Sequence, residues 1–377
     1  MGTSGFLLDR RALLGGGVVL CGAGRAAAAT ACAKRLRVNL IGQALMRENI
    51  CAQDWPGRGA LSARLWQADV TISDLEVVIR GPGAGPPTRA AETLHHAPPA
   101  VLDCLGALGV GLLNTASNHA FDLNTGGIVD TMEALRARGI PFAGTGMTLA
   151  EAAAAGHVET PAGPVALVAA AAGFVRDGGA ATGTRAGVNE LRRGADGGPD
   201  AADVARMLAA ISAAAATGAL VMAYLHDHFW EAENWRVPDW KRQLARQCID
   251  AGAAGFFSHG APLLQGIETY RGAPVFHGLG SFVFQTKKGE GAYGDWAWQS
   301  LIAECVFEDG RFLEARLVPV QLDPDGVGGA ADLATRGRPH LATKAEAVAI
   351  LDRVDELSAM LGQQLMREGD TALLRGA

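Results

Sequence analysis

The sequence has no basic surplus, no membrane-length apolar run, no CxxC pair and no internal repeat. Each absence removes a class of protein. Lys and Arg total 33 against 39 Asp and Glu, a net charge of −6, which is not the footprint of a nucleic-acid binder. No stretch reaches the roughly 20 apolar residues that a bilayer demands, so no stable membrane span is expected. The six cysteines, Cys21, Cys32, Cys51, Cys104, Cys248 and Cys305, follow no regular spacing, which supports neither a zinc knuckle nor a disulfide framework. Cys104 and Cys248 fall in apolar helical patterns and read as buried thiols acting as small hydrophobes.

What is present is a chain of 377 residues, 49% hydrophobic, long enough to bury a large core. It opens on paired arginines, Arg10 and Arg11, then a short, Gly-rich apolar run and an Ala tract. This resembles a twin-arginine export signal over residues 1–31, so the mature protein is expected in the periplasm or outside the cell. The main domain is expected over 32–343 and a helical tail over 344–377.

Along the main domain, buried-strand runs such as RLRVNLIG, ADVTISDLEVVI, VGLLN, GPVALVAAAAG and ALVMAYLHDH alternate with amphipathic helical segments. PPAVLDCLGALG has Pro at its start and Gly at its end, as a helix does. SLIAECVFEDGRFLEARLVPVQL reads as a hairpin turning at Asp309-Gly310. The alternation predicts a layered α/β fold, in which chemistry gathers beyond the carboxyl ends of the strands.

The polar clusters fall at those ends: Asp74 with Glu76, Asn118 with His119, His226 to His228, and His259. A single strand-end His is more often structural, and Asn118 alone reads as a turn residue. Taken together, a carboxylate, an amide and two imidazoles from four successive strand ends suit one borderline or hard divalent cation, zinc, manganese or iron.

The blocks LIGQALM, ADVTISDLEVVI, TASNHAFD, AYLHDHFWE and SHGAPLLQG occur in the order and spacing of the CapA-like family of poly-γ-glutamate capsule-synthesis proteins, which the region from Arg37 to Phe284 resembles. That family resembles a branch of the calcineurin-like metallophosphoesterases. The resemblance implies an α/β/β/α four-layer sandwich with metal positions at the strand ends. It implies Glu76, Asn118, His226 and His259 as ligands, His119 as the acid/base group and Asp122 as its orienting partner. Two departures matter. The family's Gly-Asp block is Gly42-Gln43 here, and the last His of its Gly-His-His-Pro-His block is lost at Ser258-His259-Gly260-Ala261-Pro262. Both losses fall on one metal position, so a mononuclear centre is expected and two-metal phosphatase chemistry is not.

His95, His96, His228 and His277 are additions to the family pattern. With Asp74 they are expected to contact substrate, and His96 or His228 could rebuild a ligand position. Trp230, Trp235, Trp240, Trp296 and Trp298 read either as packing or as an aromatic wall. The expected activity is metal-assisted hydrolysis or transfer at a carbonyl of a small-molecule, peptide or polymer substrate. Elimination or epimerisation is the alternative, and a non-catalytic accessory role in polymer synthesis is a third reading.

Overall fold

The computed structural model describes residues 34–376 apart from 196, 231–232 and 290. The expected export signal, with Cys21, and Cys32 beyond it, lies outside the described residues.

Apolar runs bounded by Gly or Asp become strands. β1 (Arg35–Leu45), β2 (Val70–Leu75) and β3 (Val110–Asn114) lie side by side and parallel. β4 (Gly163–Ala172), β5 (Leu220–Asp227), β6 (Gly255–His259) and β7 (Ala273–Phe276) form a second parallel set in that order. The Ala-rich β4 is buried along its length from Val165 to Ala172, as expected of a strand covered on both faces. β8 (Gln299–Glu308) and β9 (Arg311–Leu322) form the expected hairpin, with Asp309 and Gly310 both at positive φ, and β8 pairs antiparallel with β1. The result is one ten-stranded and one seven-stranded sheet, with two small two-stranded sheets beside them.

The two sheets pack face to face. Val38, Leu40 and Ile72 of the first meet Leu167, Met222 and Tyr224 of the second in one core. The first sheet's outer face is covered by α1 (Arg58–Leu65) and α2 (Ala100–Leu108) through Leu61, Leu65, Leu102 and Leu105. α3 (Asn124–Arg136) follows the turn after β3. The second sheet is covered by α4 (Ala201–Ala215) and α5 (Asp239–Asp250) through Met207, Ile211, Leu244 and Cys248. This is the helix–sheet–sheet–helix order that the resemblance implied. α2 ends at Gly109 with φ 108°, a left-handed position that glycine adopts without a Cβ clash.

Two expectations are corrected. The C-terminal segment is not helical throughout. α6 (Lys344–Ala359) opens on a Thr343/Glu346 capping box, and the chain then returns as the strands Met366–Glu368 and β10 (Thr371–Arg375). β10 pairs with β9 and buries Ala372, Leu373 and Leu374 in the first sheet, so this segment belongs to the main domain. The strand is only five residues long, and its three consecutive buried residues show no alternation, which hid it. The cysteines are also not all free: Cys51 and Cys104 form a disulfide with a Cα–Cα distance of 5.5 Å across 53 residues. Packing brings the Ile50–Ala52 turn against α2, which spacing along the chain could not show. Cys248 and Cys305 are free and buried, as read for Cys248.

Candidate metal centre

Strand register assembles the site. Gln43, Asp74 and Asn114 lie level across β1, β2 and β3, and His226 lies level with His259 across β5 and β6. The carboxyl ends of both parallel sets therefore present polar side chains in one place. Glu76 follows β2, Asn118 and His119 lie in the turn between β3 and α3, and His228 follows β5.

His226 is the centre of this arrangement. Its Nδ1 lies 3.0 Å from Asp74 Oδ2, and Asp74 is itself held by the Asn114 amide. Asp74, expected to contact substrate, is fully buried between His226 and Asn114, a position suited to orienting the imidazole. With the Nδ1 proton committed to Asp74, Nε2 is left facing three polar atoms: Asn118 Oδ1 at 2.9 Å, His228 Nε2 at 2.9 Å and Glu76 Oε2 at 3.3 Å. One shared proton satisfies one of these contacts, whereas a divalent cation satisfies all of them. Glu76 Oε2 and His228 Nδ1 are buried without a hydrogen-bond partner. Without a cation, protons compensate. Burial lowers the His226 imidazole, but Glu76 and Asp74 outweigh it and raise its pKa to about 9, while burial above all pushes Glu76 up to about 8. The donor set thus fits a divalent metal, with Glu76, His226 and His228 as one group whose ligand atoms lie within 4.8 Å of one another.

His259 stands farther out than the rest of the expected set. Its ring centroid is 6.2 Å from that of His226, outside the tight group, although both of its ring nitrogens are buried and unpartnered. His228, expected to touch substrate or to rebuild a ligand position, has its Nε2 2.9 Å from His226 Nε2. Gln43, in the place of the family's Asp, donates from Nε2 to Ser281 Oγ at 3.2 Å and leaves Oε1 buried without a partner.

Beside this group His119 Nδ1 lies 2.8 Å from Asp122 Oδ2, and its Nε2 lies 3.8 Å from Glu76 Oε1. Burial first, then the Arg89, His226 and Arg47 charges, hold His119 well below the usual imidazole range, so it is neutral near pH 7. His95 stacks on it with ring centroids 3.7 Å apart, and Glu76, His95 and His119 form a second close group on the other side of Glu76. His96 is half-buried on the short strand His96–Ala97. His277 is corrected outright: it is fully buried, bonded through Nε2 to Glu268 at 3.0 Å, and belongs to a structural network with Lys241 and Arg242.

Sequence reading missed Arg89. It leaves the Pro/Gly-rich loop and reaches Asp122 Oδ1 and the carbonyls of Asn118 and Phe174. One guanidinium thereby fixes the orienting carboxylate, the ligand-bearing turn and a residue at the site's entrance. A lone arginine in a loop carries no periodic signal, so only the fold reveals it. That entrance is a cavity of about 710 Å³ lined by Arg89, Asn118, Phe121, Phe174 and Arg176. Phe174 is 63% exposed and holds φ +54°, which costs a non-glycine residue on the order of 1 kcal/mol. It meets His228 and Trp230 edge-on, at 5.6 and 6.3 Å. Of Trp230, Trp235, Trp240, Trp296 and Trp298, Trp230 joins this aromatic rim, while Trp298 is buried and Trp235 packs against the core.

Fold and site together define a four-layer sandwich carrying a His/carboxylate group at its strand ends. The chain belongs to the bacterial capsule synthesis protein family PGA_cap, whose model matches residues 12–286. An uncharacterised Sinorhizobium fredii protein, y4sH, is 26% identical over 89% of this chain and 92% of its own length. The PGA biosynthesis protein CapA of Bacillus subtilis is 30% identical over 46% of this chain and 42% of its own. Among solved structures, the Haemophilus influenzae NAD nucleotidase NadN overlays with a TM-score of 0.41 at 13% identity, covering 88% of this chain and 62% of that one. The 5'-nucleotidase precursor of Thermus thermophilus gives the same TM-score at 13% identity, over 89% and 61%. Overlays this loose transfer nothing about chemistry.

Proposed function

We propose that the protein is an exported, metal-dependent enzyme that uses one divalent cation and the His119–Asp122 pair for hydrolysis or transfer at a carbonyl. The observation that carries this reading is the convergence of Glu76, Asn118 and His228 on the bare Nε2 of His226. A cation held there would supply Lewis acidity toward a substrate oxygen. Glu76, Asn118 and His226 would hold it with His228, and with His259 if that ring turns inward. His119, neutral and aimed past Glu76 by Asp122, would accept a proton from the attacking group at Nε2 and return it to the leaving group. Arg89 keeps Asp122 and the Asn118 turn in register, and the Phe174–Trp230 rim borders the way in. The substrate on this reading is an amide, γ-glutamyl or ester-like compound. The family's name and the Bacillus relative's title favour a polymer-related acyl substrate. The Cys51–Cys104 disulfide supports an oxidising destination, in keeping with export.

Elemental analysis of the purified mature protein tests the cation, and a γ-glutamyl anilide set against an aryl phosphate tests the reaction. About one metal equivalent per chain and release of the anilide are expected. Two equivalents with phosphate release would instead mean that the Glu76–His95–His119 group holds a second cation and that the phosphoesterase chemistry is intact.

A further inference from the structure

Outside the metal group, Arg47 is a buried side chain that the fold leaves unexplained. It follows β1 and is 4% exposed, yet none of the described residues accepts a hydrogen bond from its guanidinium, and Nη1 is fully buried and unpartnered. No carboxylate lies within ion-pairing distance of it among the described residues, although 25 ion pairs occur among them. Burial accordingly lowers its pKa, with only Asp122 and Glu48 opposing. A cation stripped of water and given no partner is costly unless an anion reaches it in use.

Its surroundings are basic. The backbone amides of Arg47 and Glu48 both donate to Gln285 Oε1, at 2.6 and 2.8 Å, which fixes Arg47 beside the segment carrying Lys287. Lys287 Nζ reaches the carbonyl of Ala91 at 3.4 Å, against the loop that bears His95 and His96. Arg80 joins the same loop, because Val78 pairs with His96 and the Arg80 amide donates to Ala97 O at 2.9 Å. Arg80, Arg47 and Lys287 are the positive charges that His96 feels, and Glu48 is the carboxylate acting on both Arg47 and Lys287. His95 bridges this cluster to the proposed acid/base group: it stacks on His119 and leaves its Nδ1 buried and unpartnered.

We infer that Arg47, with Lys287 and Arg80 at its rim and His95 as its floor, is a subsite for an oxyanion of the substrate, a carboxylate or a phosphate. A planar guanidinium with a free donor edge matches either group, and a flanking ammonium adds charge without dictating geometry. This deepens the proposed function and rests on it: the reacting carbonyl lies by His119 and Glu76, and the anionic arm reaches one imidazole further, to Arg47. The substrate is then an acidic molecule recognised at two points, one reactive and one not.

Calorimetric titration of the metal-loaded full chain with glutarate and, separately, with inorganic phosphate tests the subsite. The tighter ligand identifies the group. Arg47→Met is expected to weaken that ligand about tenfold or more, Lys287→Gln about threefold, and Arg47→Lys less than Arg47→Met, with metal content unchanged. Wild-type affinity in Arg47→Met, or no binding of either anion by the native chain, overturns the subsite. If Arg47→Met does not fold, unchanged affinity in both Lys287→Gln and Arg80→Gln overturns it as well. Repeating the titration after chelation separates the two readings. Arg47-dependent binding that survives chelation upholds the subsite even if the protein proves metal-free. Binding lost with the metal places the anion on the cation and refutes it.

Discussion

His119 and His226 each give Nδ1 to a buried carboxylate, yet Nε2 has different company in the two. On His226 it faces three ligand atoms within 3.3 Å, whereas on His119 the nearest carboxylate oxygen is 3.8 Å away. Crowding suits a ligand, and a free approach suits proton transfer. His119→Ala should therefore cut turnover by about 10²–10⁴-fold and keep the metal, while His226→Ala should lose both. Elemental analysis beside initial rates checks this, and equal metal loss in the two variants would show the roles to be misassigned. Arg89→Met should lower turnover by roughly 10-fold or more with metal retained, because Asp122 and the Asn118 turn lose their shared anchor. Much of this constellation was legible in the sequence, since Glu76, Asn118, His119 and His226 each end an apolar run. Asp74, His95, His228 and His277 were legible only as unusual residues. Which of them touches a ligand, orients one or stays in the core depends on strand register and on partners distant along the chain, such as Glu268 for His277.

Elements carry two further consequences. Cys51–Cys104 ties the turn after β1 to α2 and closes a loop that contains Asp74, Glu76, His95 and His96. Replacing both cysteines with alanine should cost roughly 2–4 kcal/mol, read as a lower urea midpoint, and dithiothreitol should reproduce the loss in the native chain. An unchanged midpoint would mean that packing alone holds α2. The second consequence lies between α5 and the strand Ile267–Tyr270. Burial holds His277 down to about 4, and hydrogen bonds from His277 and Arg242 overcome burial to hold Glu268 down to about 2. Both groups bind protons more tightly in the unfolded chain. Their contribution is thus complete above about pH 6.5, falls as His277 is approached from 6.5 to 4, and falls further toward pH 2 as Glu268 protonates. The His277 part is on the order of 3 kcal/mol. Urea midpoints at pH 7.5 and 4.5 should converge in His277→Gln relative to wild type; an equally steep acid loss in the variant would assign it elsewhere. The alternation of strands and helices was readable because the core strands are continuous buried apolar runs and the helices between them are amphipathic. The short β10 and the disulfide were not, because the first is too brief for a period and the second is a tertiary contact.

At the scale of the molecule, the C-terminal segment is a structural edge rather than an appendage. Truncation after Gly362 removes β10, uncovers β9 and exposes the core that Leu373 and Leu374 close. The shortened protein should be recovered mainly in aggregates, as sedimentation of the expressed protein would show, whereas a soluble, cooperatively unfolding product would contradict that role. The site itself spans both layers. Glu76 and Asn118 come from the first sheet's strand ends, His226 and His228 from the second's. A cation gripped by all four is therefore a rivet through the sandwich, and prising the layers apart must release it. Heat resistance should climb with the logarithm of free metal concentration and collapse on chelation, so a melting curve doubles as an affinity measurement.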